Sequence, residues 1–141
     1  MGRSQELFRG TVLGPHFEGL CRWWAGTAAA ESTFGAAAAR VGEGVVNDPA
    51  NRVALQVDVV VAGTEGGVLS LGEVKYGEVM GVGHLGRLRG IRQLLAQRDV
   101  LDPTTVTLAC YSGSGFTAGP SAAEDRGEVV LVDLSRIYTG R

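Results

Sequence analysis

At 141 residues, 45% hydrophobic and 20% charged, the chain has an ordinary soluble globular balance and the length of one folded domain with a real core. A net charge of −2 supplies no global basic field, so any contact with nucleic acid has to come from a local arginine patch. Arg3, Glu6 and Arg9 interrupt the start where a signal peptide would need an apolar core, and no stretch approaches the roughly eighteen apolar residues of a membrane span, so a cytoplasmic location is expected.

The pattern predicts a helix, three strands, a helix and two strands, with the domain core over about residues 8–135 of a single domain spanning 1–141. Gly14-Pro15 opens the first helix, with proline in a first-turn position where its missing N–H costs nothing. Phe17, Leu20, Cys21 and Trp24 then recur at helical spacing as a buried stripe ending near Gly26, flanked by Glu18. The alanine-rich run from Ala25 to Ala39 is broken by Glu31, Ser32, Thr33 and Gly35; it either extends the helix or forms a loop. A strand is expected from about Arg40 to Val46, followed by turn chemistry over Asn47-Asp48-Pro49-Ala50-Asn51. Strands from Ala54 to Ala62 and from Val68 to Tyr76 join as a hairpin across Gly63 to Gly67. Val82, Leu85, Leu88, Ile91 and Leu95 lie along one face of a second helix over Val79 to Arg98. Asp102-Pro103 breaks the chain after it. The last strands are Thr104 to Tyr111 and Glu128 to Val132, separated by Ser112-Gly113-Ser114-Gly115-Phe116 and a small-residue loop, and the tail is short and polar. Cys21 and Cys110 lie far apart, with no CxxC or Cys/His cluster, which points to free thiols packed as small hydrophobes in a reducing compartment.

Chemistry concentrates in the central hairpin. Lys75 is the only lysine against twelve arginines, and it follows Glu73 by two residues. A compact, titratable ammonium does work that the always-charged planar guanidinium does poorly. Both hairpin strands are apolar on both faces, as strands covered by helices on each side are. Asp58 and Glu73 are therefore out of place unless a cation or an opening to solvent answers them. Strand alternation puts Glu73 and Lys75 on one face, roughly 7 Å apart at about 3.3 Å per residue, and Asp58 on the partner strand can face the same space. Two carboxylates and an ammonium converging at a sheet end can hold a hard divalent metal and orient a water for attack on phosphorus.

Asp58, a hairpin, then Glu73-Val74-Lys75, with a Glu18-bearing helix before and a helix after, resembles the PD-(D/E)XK nuclease superfamily. The stretches Gly14-Pro15-His16-Phe17-Glu18, Gln56-Val57-Asp58-Val59-Val60, Gly72-Glu73-Val74-Lys75-Tyr76 and Tyr111 to Thr117 are together similar to the nuclease-like C-terminal domain of archaeal-type ATPases. The resemblance implies an α/β, restriction-endonuclease-like fold with a central mixed β-sheet of about five strands flanked by helices. It implies Asp58 and Glu73 as ligands of Mg²⁺ or Mn²⁺, the Val74 carbonyl as a further ligand, Lys75 as the group that positions or activates water, and Glu18 as the residue completing the catalytic set. DNA is the implied substrate and a separate ATPase a possible partner. Because the chain has no GxxxxGK[ST] loop and no winged-helix segment, the expectation is a detached domain or a truncated reading frame. The proline that names the motif is absent before Asp58.

Plainer readings stand beside these. Glu18 is otherwise a solvated helix carboxylate, and His16 and His84 are surface or satisfied core groups with no assigned role. Arg87, Arg89, Arg92 and Arg98 form either a phosphate-contacting helix surface or a solvated face. The Ser112 to Gly115 turn offers N–H groups to a phosphate or does nothing of the kind. Asp58, Glu73 and Lys75 are otherwise a structural salt-bridge cluster, in a noncatalytic interaction or regulatory domain that kept the fold and bound an ATPase partner.

Overall fold

The structure, a computed structural model, describes residues 14–139; residues 8–13 of the expected core and the signal-peptide argument from Arg3, Glu6 and Arg9 lie outside them. Helix α1 covers Gly14–Trp23 and widens into a π-helical turn over Trp24–Ala28, closed by the Ala29 N–H on the Trp24 carbonyl at 2.9 Å. A four-residue helix, α2 (Glu31–Phe34), follows and ends at Gly35 with φ +84°. The alanine-rich run thus neither extends α1 nor stays a plain loop. Strands β1 (Arg40–Asp48), β2 (Val53–Ala62) and β3 (Val68–Lys75) form an antiparallel meander. Helix α3 (Val82–Gln97) crosses to β4 (Thr107–Ser112), parallel to β3, and α4 (Ala118–Asp125) crosses to β5 (Val130–Val132), parallel to β4. The result is a five-stranded mixed sheet in the order β1-β2-β3-β4-β5, closed by α5 (Leu134–Thr139).

Three helices differ from the expected pattern. The small-residue loop is α4, because parallel β4 and β5 cannot be joined by a tight hairpin and need a crossover; its Pro120 is tolerated in the first turn, where no intrahelical N–H is required. The polar tail is α5, anchored by buried Ile137. Helix α3 begins at Val82 rather than Val79 because Met80 pairs with the chain after β4: its N–H donates to the Gly115 carbonyl and its carbonyl accepts from Thr117 N–H, both at 3.0 Å. Leu85, Leu88 and Ile91 are buried as the periodicity requires, whereas Val82 is 65% exposed.

The helices make a separate core on each face of the sheet. On one, Phe17, Cys21 and Trp24 of α1 and the following turn, with Ile137 of α5, pack on Val59, Val61, Val74 and Tyr111. On the other, Leu85, Leu88 and Ile91 of α3 pack with Ala123 of α4 on Val57, Leu71, Leu108 and Cys110. The buried free thiols Cys21 and Cys110 therefore sit on opposite sides of the sheet, and burial pushes the Cys110 thiol up to about 12. Gly72 lets the ring of Tyr111 lie against β3: a Cβ there would meet Tyr111 Cε1 at 2.6 Å.

Candidate functional site at the end of the central hairpin

The position of Asp58 follows from a break in strand register. Gly42 lies opposite Val60 and Gly44 opposite Val57, so two steps along β1 match three along β2, and β2 carries a bulge around Asp58 and Val59. The extra residue inverts the alternation: Val57 faces the α3 core, while Val59 and Val61 face the α1 core. A bulge re-aims a side chain and ends regular pairing. Here the last β2–β3 pair on this side is Val59 opposite Gly72, and the Asp58 Oδ2 accepts the Val74 N–H at 2.8 Å. That bond lets a carboxylate sit in a strand covered on both faces.

Val74 is oriented by the same geometry. The Lys75 carbonyl accepts from the Gly113 N–H at 3.0 Å, so the Lys75 peptide groups face β4. Backbone groups of successive strand residues face opposite neighbours, which turns the N–H and carbonyl of Val74 towards the gap occupied by Asp58. Glu73 is 5% exposed and belongs to the face covered by α3. Its Oε1 accepts from Arg87 Nη1 at 2.9 Å, while Oε2 is buried without a hydrogen-bond partner among the described residues. Arg87 also donates through Nη2 to the Gln56 carbonyl at 3.0 Å, tying α3 to β2.

From the other side, α1 contributes Glu18 and Arg22. Arg22 Nη1 donates to the Asp58 backbone carbonyl at 3.0 Å and lies 4.0 Å from Glu18 and 3.8 Å from Glu43 of β1. Burial raises the Glu18 carboxyl above its ordinary range, and the Asp58 charge adds to this; Arg22 and Lys75 oppose it. Burial likewise raises Glu73, against the lowering effect of Arg87, then Lys75 and His84, with Asp58 raising it further. Glu18 and Glu73 thus both feel Asp58 and Lys75, so the four residues expected to carry the chemistry lie within one electrostatic neighbourhood.

Sequence reasoning missed the cations nearest the carboxylates. Arg87 reaches Glu73, and Arg22 reaches the Asp58 carbonyl and Glu43, across tertiary contacts that no local pattern shows; only the Glu18–Arg22 spacing of four is local. His84 accepts the Gly81 N–H at Nδ1 (3.1 Å) and pairs through Nε2 with Glu78 (2.9 Å), which makes it a helix-start brace. The Ser112 turn is also internally committed. Ser112 Oγ accepts from the N–H groups of Ser114 and Gly115 at 3.1 and 3.0 Å and donates to the Glu78 carbonyl at 3.1 Å.

Asp58, Glu73 and the Val74 carbonyl are hard oxygen donors suited to Mg²⁺ or Mn²⁺, and the orphaned Glu73 Oε2 is an acceptor that a cation would satisfy. No three His, Cys, Asp or Glu side chains form a metal-holding group among the described residues, so such a set rests on two carboxylates and a backbone oxygen. No helix among the described residues is long and apolar enough to cross a membrane. No protein-family model, curated protein or solved structure matches the chain.

Proposed function

We propose that the chain is a restriction-endonuclease-like, PD-(D/E)XK-type domain that hydrolyses DNA phosphodiester bonds with Mg²⁺ or Mn²⁺. The observation that carries this reading is the bulge at Asp58, which ends the β2–β3 ladder where the Val74 backbone, Glu73 and Lys75 follow on the neighbouring strand. Asp58, Glu73 and the Val74 carbonyl hold the ion, which when bound supplies Lewis-acid polarisation of the phosphate and stabilisation of the leaving oxygen. Lys75, with no ion-pair partner among the described residues, presents its ammonium to the water and fixes the direction of attack. Arg22 braces the Asp58 strand from α1, and Glu18, 4.0 Å from Arg22, completes the catalytic set. Two buried free thiols agree with a reducing, cytoplasmic setting, and a separate ATPase is the partner to seek by co-purification.

The Arg87–Glu73 pair favours a second reading. A guanidinium already answers Glu73, as in a noncatalytic interaction domain of an ATPase system that keeps the nuclease fold. Calorimetry with Mg²⁺ and Mn²⁺ on the wild type and Asp58→Ala separates the two, alongside cleavage of plasmid and single-stranded DNA by wild type, Asp58→Ala and Lys75→Arg at matched folding. Metal binding lost in Asp58→Ala, with cleavage lost in both variants, is the expected result. A wild type that binds no metal, or equal cleavage by all three proteins, would falsify the nuclease reading.

A further inference from the structure

A second group of charges lies at the opposite end of the parallel strands, around a cleft of about 820 Å³ at the starts of β4 and β5. Arg89 and Arg92 reach it from α3 on one face of the sheet and Arg136 from α5 on the other. Ser32, Thr33 and the threonines of the Asp102-to-Thr107 approach add hydroxyls to its wall. We propose that this cleft binds the phosphate group of a small phosphate ester.

Three features define that ligand. First, the arginines are held in place before anything binds: Arg92 donates to the Val106 carbonyl at 3.2 Å, and Arg136 donates to the Leu131 carbonyl at 3.0 Å while lying 5.4 Å from the centre of the Trp24 ring. Second, they are incompletely neutralised. Glu128 is shared by Arg89 and Arg126, Glu124 lies 3.8 Å from Arg136, and Arg92 has no carboxylate partner among the described residues. Burial, then the neighbouring Arg89 charge, lowers the Arg92 pKa, as befits a cation lacking its counter-charge. Third, the guanidiniums approach from two sides of the sheet end. A tetrahedral phosphate offers acceptor oxygens in several directions, whereas a planar carboxylate matches one fork at a time. With three lining arginines against two lining glutamates, the excess is one positive charge, which suits a small anion and leaves Glu124 and Glu128 to repel a polyanionic backbone.

The test is calorimetry in EDTA with inorganic phosphate, a nucleoside monophosphate and an oligodeoxynucleotide lacking terminal phosphates, on wild type, Arg92→Gln, the more exposed Arg89→Gln, and Asp58→Ala. Inorganic phosphate and the monophosphate are expected to bind the wild type and Asp58→Ala equally, and Arg92→Gln about tenfold or more weakly, as for a lost charged hydrogen bond. Arg89→Gln is expected to weaken binding in the same direction, and it serves alone if Arg92→Gln fails to fold. Binding unchanged in the arginine variants, or absent from the wild type, overturns the proposal. Arginine-dependent binding of the oligonucleotide alone overturns the small-ligand assignment. Because EDTA removes divalent metal, failure of the nuclease reading leaves this result untouched.

Discussion

The two ends of the parallel half of the sheet carry opposite kinds of charge. At the end of β3, Glu18, Glu43, Asp58 and Glu73 meet Arg22, Lys75 and Arg87; at the start of β4 and β5, Arg89, Arg92 and Arg136 outnumber Glu124 and Glu128. Helix α3 serves both, since Arg87 points to the first cluster and Arg89 and Arg92 to the second. One helix thereby sorts its arginines by sheet end, and the sign left over at each end, negative beside the bulge and positive in the cleft, matches the cation and the anion proposed for them.

That division is tested most severely by activity. Lys75→Arg is expected to lower metal-dependent DNA cleavage by about 10²- to 10⁴-fold, the usual loss of a positioned acid-base group, while Arg92→Gln, at the other end, leaves the rate near wild type. Equal losses in the two variants would mean that the ends act as one site.

Next in size is the strand between them. In Gly72→Ala the new Cβ would lie 2.6 Å from Tyr111 Cε1 and 3.2 Å from the Ala109 carbonyl, and the fully buried Tyr111 ring has no room to withdraw. Overpacking of this kind costs about 1–3 kcal/mol, read as a lower urea midpoint. A neutral result would show that β3 and β4 separate easily, leaving no rigid spacer between the clusters.

Asp58 separates structure from chemistry at the acidic end. Asp58→Ala leaves the Val74 N–H unanswered, at a cost of about 1–3 kcal/mol, whereas Asp58→Asn keeps an acceptor oxygen and most of that stability while losing the charge. Amide exchange at Val74 is expected to accelerate in the alanine variant and not in the asparagine variant. Acceleration in both would assign the protection to the carboxylate charge.

The smallest expected effect is a pH dependence. Burial raises the Glu73 carboxyl above its ordinary value of 4.5, so the folded state keeps this proton to higher pH than the unfolded chain. The stability linked to it is present below 4.5 and lost as pH rises through the raised folded value. Glu73→Gln, neutral throughout, is therefore expected to gain on the wild type in urea denaturation as pH increases from about 4 to about 8. A gap that does not widen would show that Arg87 cancels the penalty of burial.

Local pattern alone revealed the α1 stripe, the β2–β3 hairpin, the α3 face through Leu85, Leu88 and Ile91, and the conspicuous Asp58, Glu73 and Lys75, because periodicity and misplaced charge are properties of neighbouring residues. Tertiary structure alone decided the rest. The bulge at Asp58 arises from pairing with β1, and the bond from Val74 joins residues 16 apart in sequence. Arg87 reaches Glu73 only through the packing of α3 on the sheet. Helix α4 exists because β5 runs parallel to β4, a direction that no short window of Ala118 to Asp125 encodes. The arginine cleft likewise forms only where elements from both faces meet. Sequence determined which groups were available for chemistry; the fold determined which charges face one another, because that depends on distances set between strands and helices rather than along the chain.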